Sequence, residues 1–337
     1  MPRTTLTDVA RQSGVSLATV DRALNGRGGV KSHTLARIVS AAKSLGYLPD
    51  DAVLASPAKP VRIAFLLPTG TNAFIEDLAA QVARQTLEGV KVRVERLSGL
   101  DTAAMAARLK ALKGTVDGIA LVALDHPLVR EAIRELLDAG MHLVTLASDI
   151  SNVAHQGYVG IDNAQASRLA GYLLGRFLGP KATGKVAFFA GSLAYRGHLE
   201  REMGFRQVLT TDFPALEIVE LREVHEDRQK AETETARLLD RHPDLSGIYN
   251  AGGATAGIAA ALHARAAVHG MVFVAHEATA NNKALLLDGT LDAVIDQNPA
   301  AEVAEAIRLL MSAARGGEVD VIAPQMRVIF RENLPGA

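Results

Sequence analysis

The chain of 337 residues predicts an all-α head containing a helix-turn-helix, followed by a two-lobed α/β body of parallel sheets flanked by helices. Three observations carry this. Residues 1–49 read as three short helices with separate start and stop signals. Residues 50–60, DDAVLASPAKP, hold two prolines among small residues and read as a linker or hinge. From Val61 to the end, residues 61–337, strand-like runs alternate with helical ones, which implies parallel sheets covered on both faces.

In the head, Thr5 is placed to cap a first helix, with Asp8 three residues on to reach back to the freed amide. Leu6, Val9 and Ala10 share one face. Gly14 stops that helix with a left-handed backbone, and Val15 fills the gap that follows. Ser16 caps a second helix whose apolar stripe includes Val20, Ala23 and Leu24. Its opposite side is centred on Ala18, Arg22 and Asn25. These side chains are short or hydrogen-bonding, as a helix lying in a DNA major groove requires. Leu17 lies on the border of the stripe, and periodicity alone allows it either core or groove. Leu35, Ile38, Val39, Ala42 and Leu45 outline a third helix ending at Gly46. The alternative is a three-helix packing module with no DNA role.

Charge separates the two parts. Residues 1–49 carry +5 and the remainder −6, for a net charge of −1. A basic head on an acidic body suits a domain that meets phosphate and one that does not.

The order T-L-x-D-V-A-x-x-x-G-V-S-x-x-T-V-x-R-x-L-N, with G-V at 29–30 and L-G-Y-x-P at 45–49, resembles the lactose/purine-repressor (LacI) family. The resemblance implies that Leu17, Ala18 and Arg22 face base edges and that Ser16, Thr19 and Asn25 sit near phosphates. Thr5 joins this DNA-contacting set. Asp21 departs from the small residue often found there, and an acid beside a phosphate weakens non-specific affinity. The family commonly forms a short hinge helix after Y-x-P, with a leucine wedged into the minor groove. Counted from Tyr47, that position holds Ser56, followed by Pro57, and Leu54 is the nearby leucine. Asp50 and Asp51 favour a helix start yet repel phosphate, while Pro57 and Pro60 leave little room for a helix. The expectation is a weak or absent hinge helix, with Leu54 as the candidate wedge.

In the body, strand-like runs are Val61–Leu67, Val90–Leu97, Gly118–Val122 and His142–Leu146, with helices near 73–87, 101–113 and 127–139. A second series holds Lys185–Phe189, Glu217–Leu221, Gly247–Tyr249, Val272–Ala275 and Ala293–Ile295. That is more than one comfortable sheet, hence two lobes. Ligands of such folds bind at the carboxyl ends of strands. The loops there supply the candidates Asn72, Phe74, Ser148, Asp149, Asn163, Arg196, Arg201, Asn250, His276, Glu277 and Gln297. Phe74 is either a wall that stacks on a sugar face or a helix-start packing residue. Arg196 and Arg201 close to one loop favour a ligand with a carboxylate or phosphate.

These loops are also similar to the sugar-binding periplasmic fold (type I) that the family uses as its sensor. The similar pieces are N-x-F-I in the first loop, V-G-I-D-N after Tyr158, G-F at 204–205, and D-G-x-L-D-A-V-I-x-Q-x-P at 288–299. Ala275-His276-Glu277 stands where such sensors often have G-F/Y-D, and Ala147-Ser148-Asp149 where an Asp-Arg pair often follows the fourth strand. The ligand chemistry is therefore expected to differ from that of the best-known sugars.

Composition narrows the remaining classes. The chain has no cysteine, so it has no disulfide framework or thiolate chemistry. No charged and then apolar leader opens it, and no apolar run reaches the ~18 residues a membrane span needs. G-P-K-A-T-G-K-V at 179–186 imitates a phosphate-binding loop but ends in Val186 and precedes a strand instead of following one. No H-E-x-x-H or G-x-S-x-G is present. His225-Glu226-Asp227 reads as solvated surface rather than a metal site.

The expectation is a cytoplasmic, ligand-responsive transcriptional regulator without cofactor, metal or membrane. It would be a homodimer, extending in the limit to a tetramer, on double-stranded operator DNA. Its effector would be a sugar, polyol or sugar acid. The alternatives are a free solute-binding protein and an enzyme with an appended head.

Overall fold

The computed structural model describes residues 4–25, 30–49, 59–98, 100–179, 183–268 and 270–335. Leu54 and the hinge-helix expectation at 50–58 lie outside the described residues. The chain packs as two compact units, the small one holding the head helices and the large one beginning at Val61.

The small unit is α1 (Leu6–Ser13), α2 (Leu17–Leu24) and α3 (Ser32–Ser44). Its caps follow the residue chemistry. The Thr5 hydroxyl accepts from the Asp8 amide, and the Asp8 carboxylate accepts from the Thr5 amide at 3.0 Å. Gly14 ends α1 at φ 65°, a conformation that glycine adopts without steric cost. The Ser16 hydroxyl accepts from the Thr19 amide and starts α2. Val9, Ala10, Val20, Ala23, Leu35, Ile38, Ala41 and Ala42 close the core.

The large unit opens with β1 (Val61–Thr69), α4 (Ala73–Ala83), β2 (Val90–Ser98), α5 (Thr102–Ala111), β3 (Gly118–Leu121), α6 (Pro127–Asp138), β4 (His142–Leu146) and β5 (Gly157–Val159). These strands form a five-stranded sheet in the order β2-β1-β3-β4-β5. β1–β3, β3–β4 and β4–β5 pair in parallel, with Phe65 opposite Ala120 and Val144 opposite Gly157. The chain continues through α7 (Asn163–Leu178), β6 (Gly184–Ala190), α8 (Arg196–Asp212), β7 (Leu216–Glu223), α9 (Arg228–Arg241), β8 (Leu245–Asn250), α10 (Thr255–Ala264), β9 (Val272–His276), α11 (Ala280–Leu287), β10 (Ala293–Asp296), α12 (Pro299–Ala314) and β11 (Arg327–Ile329). The second sheet runs β11-β10-β9-β8-β6-β7. Near-continuous apolar strands such as Val186–Ala190 are what burial on both faces demands.

Sequence order and spatial order part at α12, which packs on β1, β3, β4 and β5 of the first sheet although it follows β10 of the second. The chain therefore crosses between lobes at 160–162, at 297–298 and again after α12. Two three-residue strands, β5 and β11, were not among the predicted runs, being too short to show a pattern. β11 pairs antiparallel with β10, the one departure from the parallel expectation among the described pairs. Gly184 and Lys185 open β6, and the Lys185 ammonium lies 3.1 Å from Asp244, so the lysine of the phosphate-loop imitation starts a strand and is ion-paired.

Candidate functional site

The head presents one exposed face of α2. Leu17 is 48% exposed, which resolves the open reading of that position in favour of the surface. Leu17, Ala18 and Asp21 line a groove together with Thr5 and Tyr47. Arg22 is exposed, and its Nε donates back to the Ala18 carbonyl at 3.3 Å. Asn25 ends the helix and donates to the Asp21 carboxylate at 2.7 Å. Ser16 and Thr19 share a hydroxyl hydrogen bond of 2.8 Å.

In the large unit, the carboxyl ends of both sheets face a cavity of about 500 Å³, within the range of small-molecule sites. Ala147, His225, Glu226, Ala254, Glu277 and Asn298 all have φ between 52° and 70°. Each follows or ends a strand at this cleft, and such strained conformations persist where surrounding contacts over-determine them.

Of the candidates, Asn72, Phe74, Ser148, Arg201, His276, Glu277 and Gln297 line the cavity. Asp149, Asn163, Arg196 and Asn250 do not, and each has a physical reason. Asp149 turns back to accept from the Thr145 hydroxyl at 2.7 Å and lies 3.0 Å from His155 Nε2. Arg196 pairs with Glu200 at 2.7 Å. Asn250 donates to the Gly253 carbonyl at 2.8 Å and shapes its own turn. Asn163 acts from behind the wall: its Oδ1 accepts from Arg201 Nε at 2.8 Å, and its amide donates to the Tyr158 hydroxyl at 3.0 Å. Phe74 is buried and starts α4 from the Asn72 cap, which bears out the packing reading, and it also lines the cavity.

Arg201 is the cation of this floor. It is 4% exposed, and its Nη1 donates to the Ala251 carbonyl at 2.6 Å. Around it stand groups that burial shifts toward their neutral forms. His276 is held well below the usual imidazole range by burial and then by Arg201. The Tyr249 hydroxyl lies 2.7 Å from His276 Nε2, while His276 Nδ1 has no hydrogen-bond partner among the described residues. Burial pushes Glu277 up to about 7 against the opposing charge of Arg201. Gln297 donates to Glu277 through both its backbone and side-chain nitrogens, leaving Gln297 Oε1 unpartnered. Behind the floor, Glu302 in the first turn of α12 is fully buried, with both oxygens unpartnered among the described residues. Burial and then the nearby Glu277 hold it well above the usual carboxyl range.

Glu226 corrects the reading of His225-Glu226-Asp227 as solvated surface. Asp227 is exposed and caps α9, whereas the exposed His225 and the half-buried Glu226 both line the cleft. Its carboxyl accepts from the Gly253 amide at 2.6 Å, and a Cβ on Gly191 or Gly253 would collide with it. Thr71 donates to the Glu226 carbonyl, and Asn72 bonds its carboxyl, so the first lobe grips the second at the cleft mouth. Burial, opposed by the Gly253 amide, raises Glu226 to about 7. His198, also missed, lines the cavity, and its Nδ1 lies 3.1 Å from the Ser192 amide nitrogen and 3.0 Å from the Ser192 carbonyl. Burial and then Arg201 lower it to about 3, so it is a neutral imidazole. No group of three or more His, Asp or Glu among the described residues could hold a metal ion.

Residues 63–318 match the periplasmic binding protein domain family, and residues 5–50 match the bacterial regulatory proteins of the lacI family. The chain belongs to the periplasmic binding protein domain family and carries a lacI-family regulatory domain as its head. Its body is of the periplasmic-binding-protein type. It is 23% identical over 294 residues to the D-ribose/D-allose-binding protein of Pseudomonas aeruginosa, covering 84% of this chain and 91% of that one. It is 26% identical over 208 residues to the HTH-type transcriptional repressor PurR of Vibrio vulnificus, or 61% of this chain and 60% of the repressor. The glucose-galactose binding protein GanP of Geobacillus stearothermophilus superposes with a TM-score of 0.74 at 23% identity, over 82% of this chain and 99% of that one. That likeness shows the fold of the body. A lacI-type head on a periplasmic-binding-protein body makes the chain a ligand-responsive transcriptional regulator, and no described helix is long and apolar enough to cross a membrane.

Proposed function

We propose that this regulator represses transcription as a cytoplasmic homodimer and that its cleft binds a neutral, polyhydroxylated metabolite, a sugar or polyol. One observation carries the choice of ligand: the floor turns both an acceptor and donors toward the cavity. Gln297 Oε1 needs a donor, and Arg201 supplies donors toward the same cavity. A hydroxyl donates and accepts at once, whereas a carboxylate only accepts. An acidic ligand would also face Glu226 and Glu277, with Arg196 already paired to Glu200. The sequence-based case for an acidic effector rested on two arginines, and one of them is committed elsewhere.

Arg201, Asn163 and Tyr158 connect the cleft floor to the crossing at 160–162, since the Tyr158 hydroxyl also donates to the Ile161 carbonyl at 3.0 Å. A ligand that engages Arg201 loads this path. It shifts the lobe arrangement by its differential affinity for the two states. Two heads related by a two-fold axis would then meet two half-sites with altered spacing. Glu226 and Glu277 serve binding instead of acid–base chemistry, because their oxygens are already engaged by Gly253, Asn72 and Gln297.

A thermal-shift panel of neutral sugars, polyols and sugar acids, followed by calorimetry, tests the reading. Stabilisation by a neutral member and none by its acid form is expected. The reverse order refutes the neutral assignment, and product formed from a bound sugar refutes the non-enzymatic one.

A further inference from the structure

At 100° per residue, the outer arc of α2 runs through Leu17, Asp21, Asn25, Ala18 and Arg22, all exposed except the half-buried Asp21, with Val20 and Ala23 buried on the far side. Asp21 lies within that arc, between Leu17 and Asn25, and shares its groove with Leu17 and Ala18. Leu17 and Ala18 offer no hydrogen bond. Arg22 only donates, and Asn25 has committed an amide proton to Asp21. Asp21 is therefore the arc's acceptor-only side chain, placed where base edges would lie.

We propose that Asp21 is a base-reading residue that selects a cytosine in each operator half-site, beside a guanine read by Arg22. The inference rests on the reading of the head as an operator-binding module. The major groove is rich in acceptors, and the hydrogen-bond donors on base edges are cytosine N4 and adenine N6. Adenine places its N7 acceptor beside N6, so the second oxygen of a carboxylate meets a lone pair there. Cytosine places only a C–H beside N4. A carboxylate is therefore matched to cytosine and repelled by guanine, by thymine O4 and by phosphate. The basic remainder of the head supplies the phosphate attraction that tolerates one acid at its centre. Asn25 Nδ2, 2.7 Å from Asp21 Oδ1, fixes the carboxylate's orientation before DNA arrives.

The test uses the full chain and a pool of duplexes with randomised sequence, selected at fixed salt by wild type, Asp21→Asn, Asp21→Ala and Asn25→Ala. Wild type should enrich one cytosine position per half-site. Asp21→Asn should move that position to adenine, because an amide pairs with N6 and N7 together. Asp21→Ala should relax it by about tenfold or more in competitive titration, leaving other positions alone. Asn25→Ala should keep the cytosine. The proposal is overturned if all four proteins select the same bases while Asp21→Ala binds operator and scrambled DNA tighter by one common factor. It is equally overturned if Asp21→Asn still selects cytosine, since no carboxylate is then needed to read it. A wild type that enriches no sequence overturns the operator-binding reading itself, an outcome distinct from the other two.

Discussion

Replacing Glu277 by glutamine should make the protein more stable at pH 8 and leave it nearly unchanged below pH 4.5. Glu277 is 8% exposed at the end of β9, and burial raises its carboxyl from 4.5 to about 7. In the unfolded chain it returns to the ordinary value. The folded state therefore binds the proton more tightly. Its contribution to stability is fully present below the unfolded value and is lost as pH rises through the folded one. One pH unit of that gap corresponds to about 1.4 kcal/mol, so the charged form costs the fold about 3 kcal/mol above pH 7. Glutamine keeps the shape, and its carbonyl can still accept from Gln297 Nε2, but it carries no charge to desolvate. Thermal melts of wild type and Glu277→Gln, without ligand and at constant ionic strength from pH 4 to 8, read the effect. The difference should open between pH 4.5 and 7 and reach about 3 kcal/mol. Parallel pH profiles would refute the desolvation argument. Where a sugar binds, the same substitution should weaken it about tenfold through the lost charge-assisted hydrogen bond.

Other perturbations separate roles that the structure distinguishes. Arg22→Ala should cost operator discrimination of about 1–3 kcal/mol and less on scrambled DNA in gel-shift titrations; equal loss on both would reassign Arg22 to a phosphate. Arg201→Ala should lower sugar affinity at least tenfold by calorimetry while Arg196→Ala leaves it within about twofold, and equal losses would contradict the placement of Arg196 outside the cavity. Tyr158→Phe should broaden the distance distribution between spin labels on cysteines introduced at Leu128 and Leu287, which is straightforward in a chain with no native cysteine; an unchanged distribution would remove Tyr158 from the path between cleft and crossing.

The head was legible because its signals are local. Thr5, Gly14 and Ser16 act on backbone within four residues of themselves, and a 3.6-residue period places the rest. The sheets were legible for a similar reason, since apolar runs and their ends need no knowledge of partners. Seven of the eleven cleft candidates face the cavity because strand ends converge on it. The failures share a cause. Asp149, Arg196 and Asn250 sit on the right loops, but their side chains are taken by Thr145, Glu200 and Gly253, choices that only tertiary contacts decide. Glu226 was missed because the strand before it was ended at Leu221, whereas β7 runs to Glu223. Applying the strand-end rule to the true boundary would have pointed straight at it. Glu302 carries no sequence signal, since its burial depends on α12 returning to the first lobe.

The central claim is that a sugar in this cleft changes the grip of the heads on DNA. Operator titrations of the full chain, with and without the sugar that calorimetry identifies, test it most directly when repeated with Arg201→Ala. The sugar should shift the operator Kd of wild type by roughly 5- to 150-fold, the usual span of such coupling. Arg201→Ala should bind operator normally without responding to the sugar. A sugar that binds the cleft tightly yet leaves the operator Kd unchanged would contradict it.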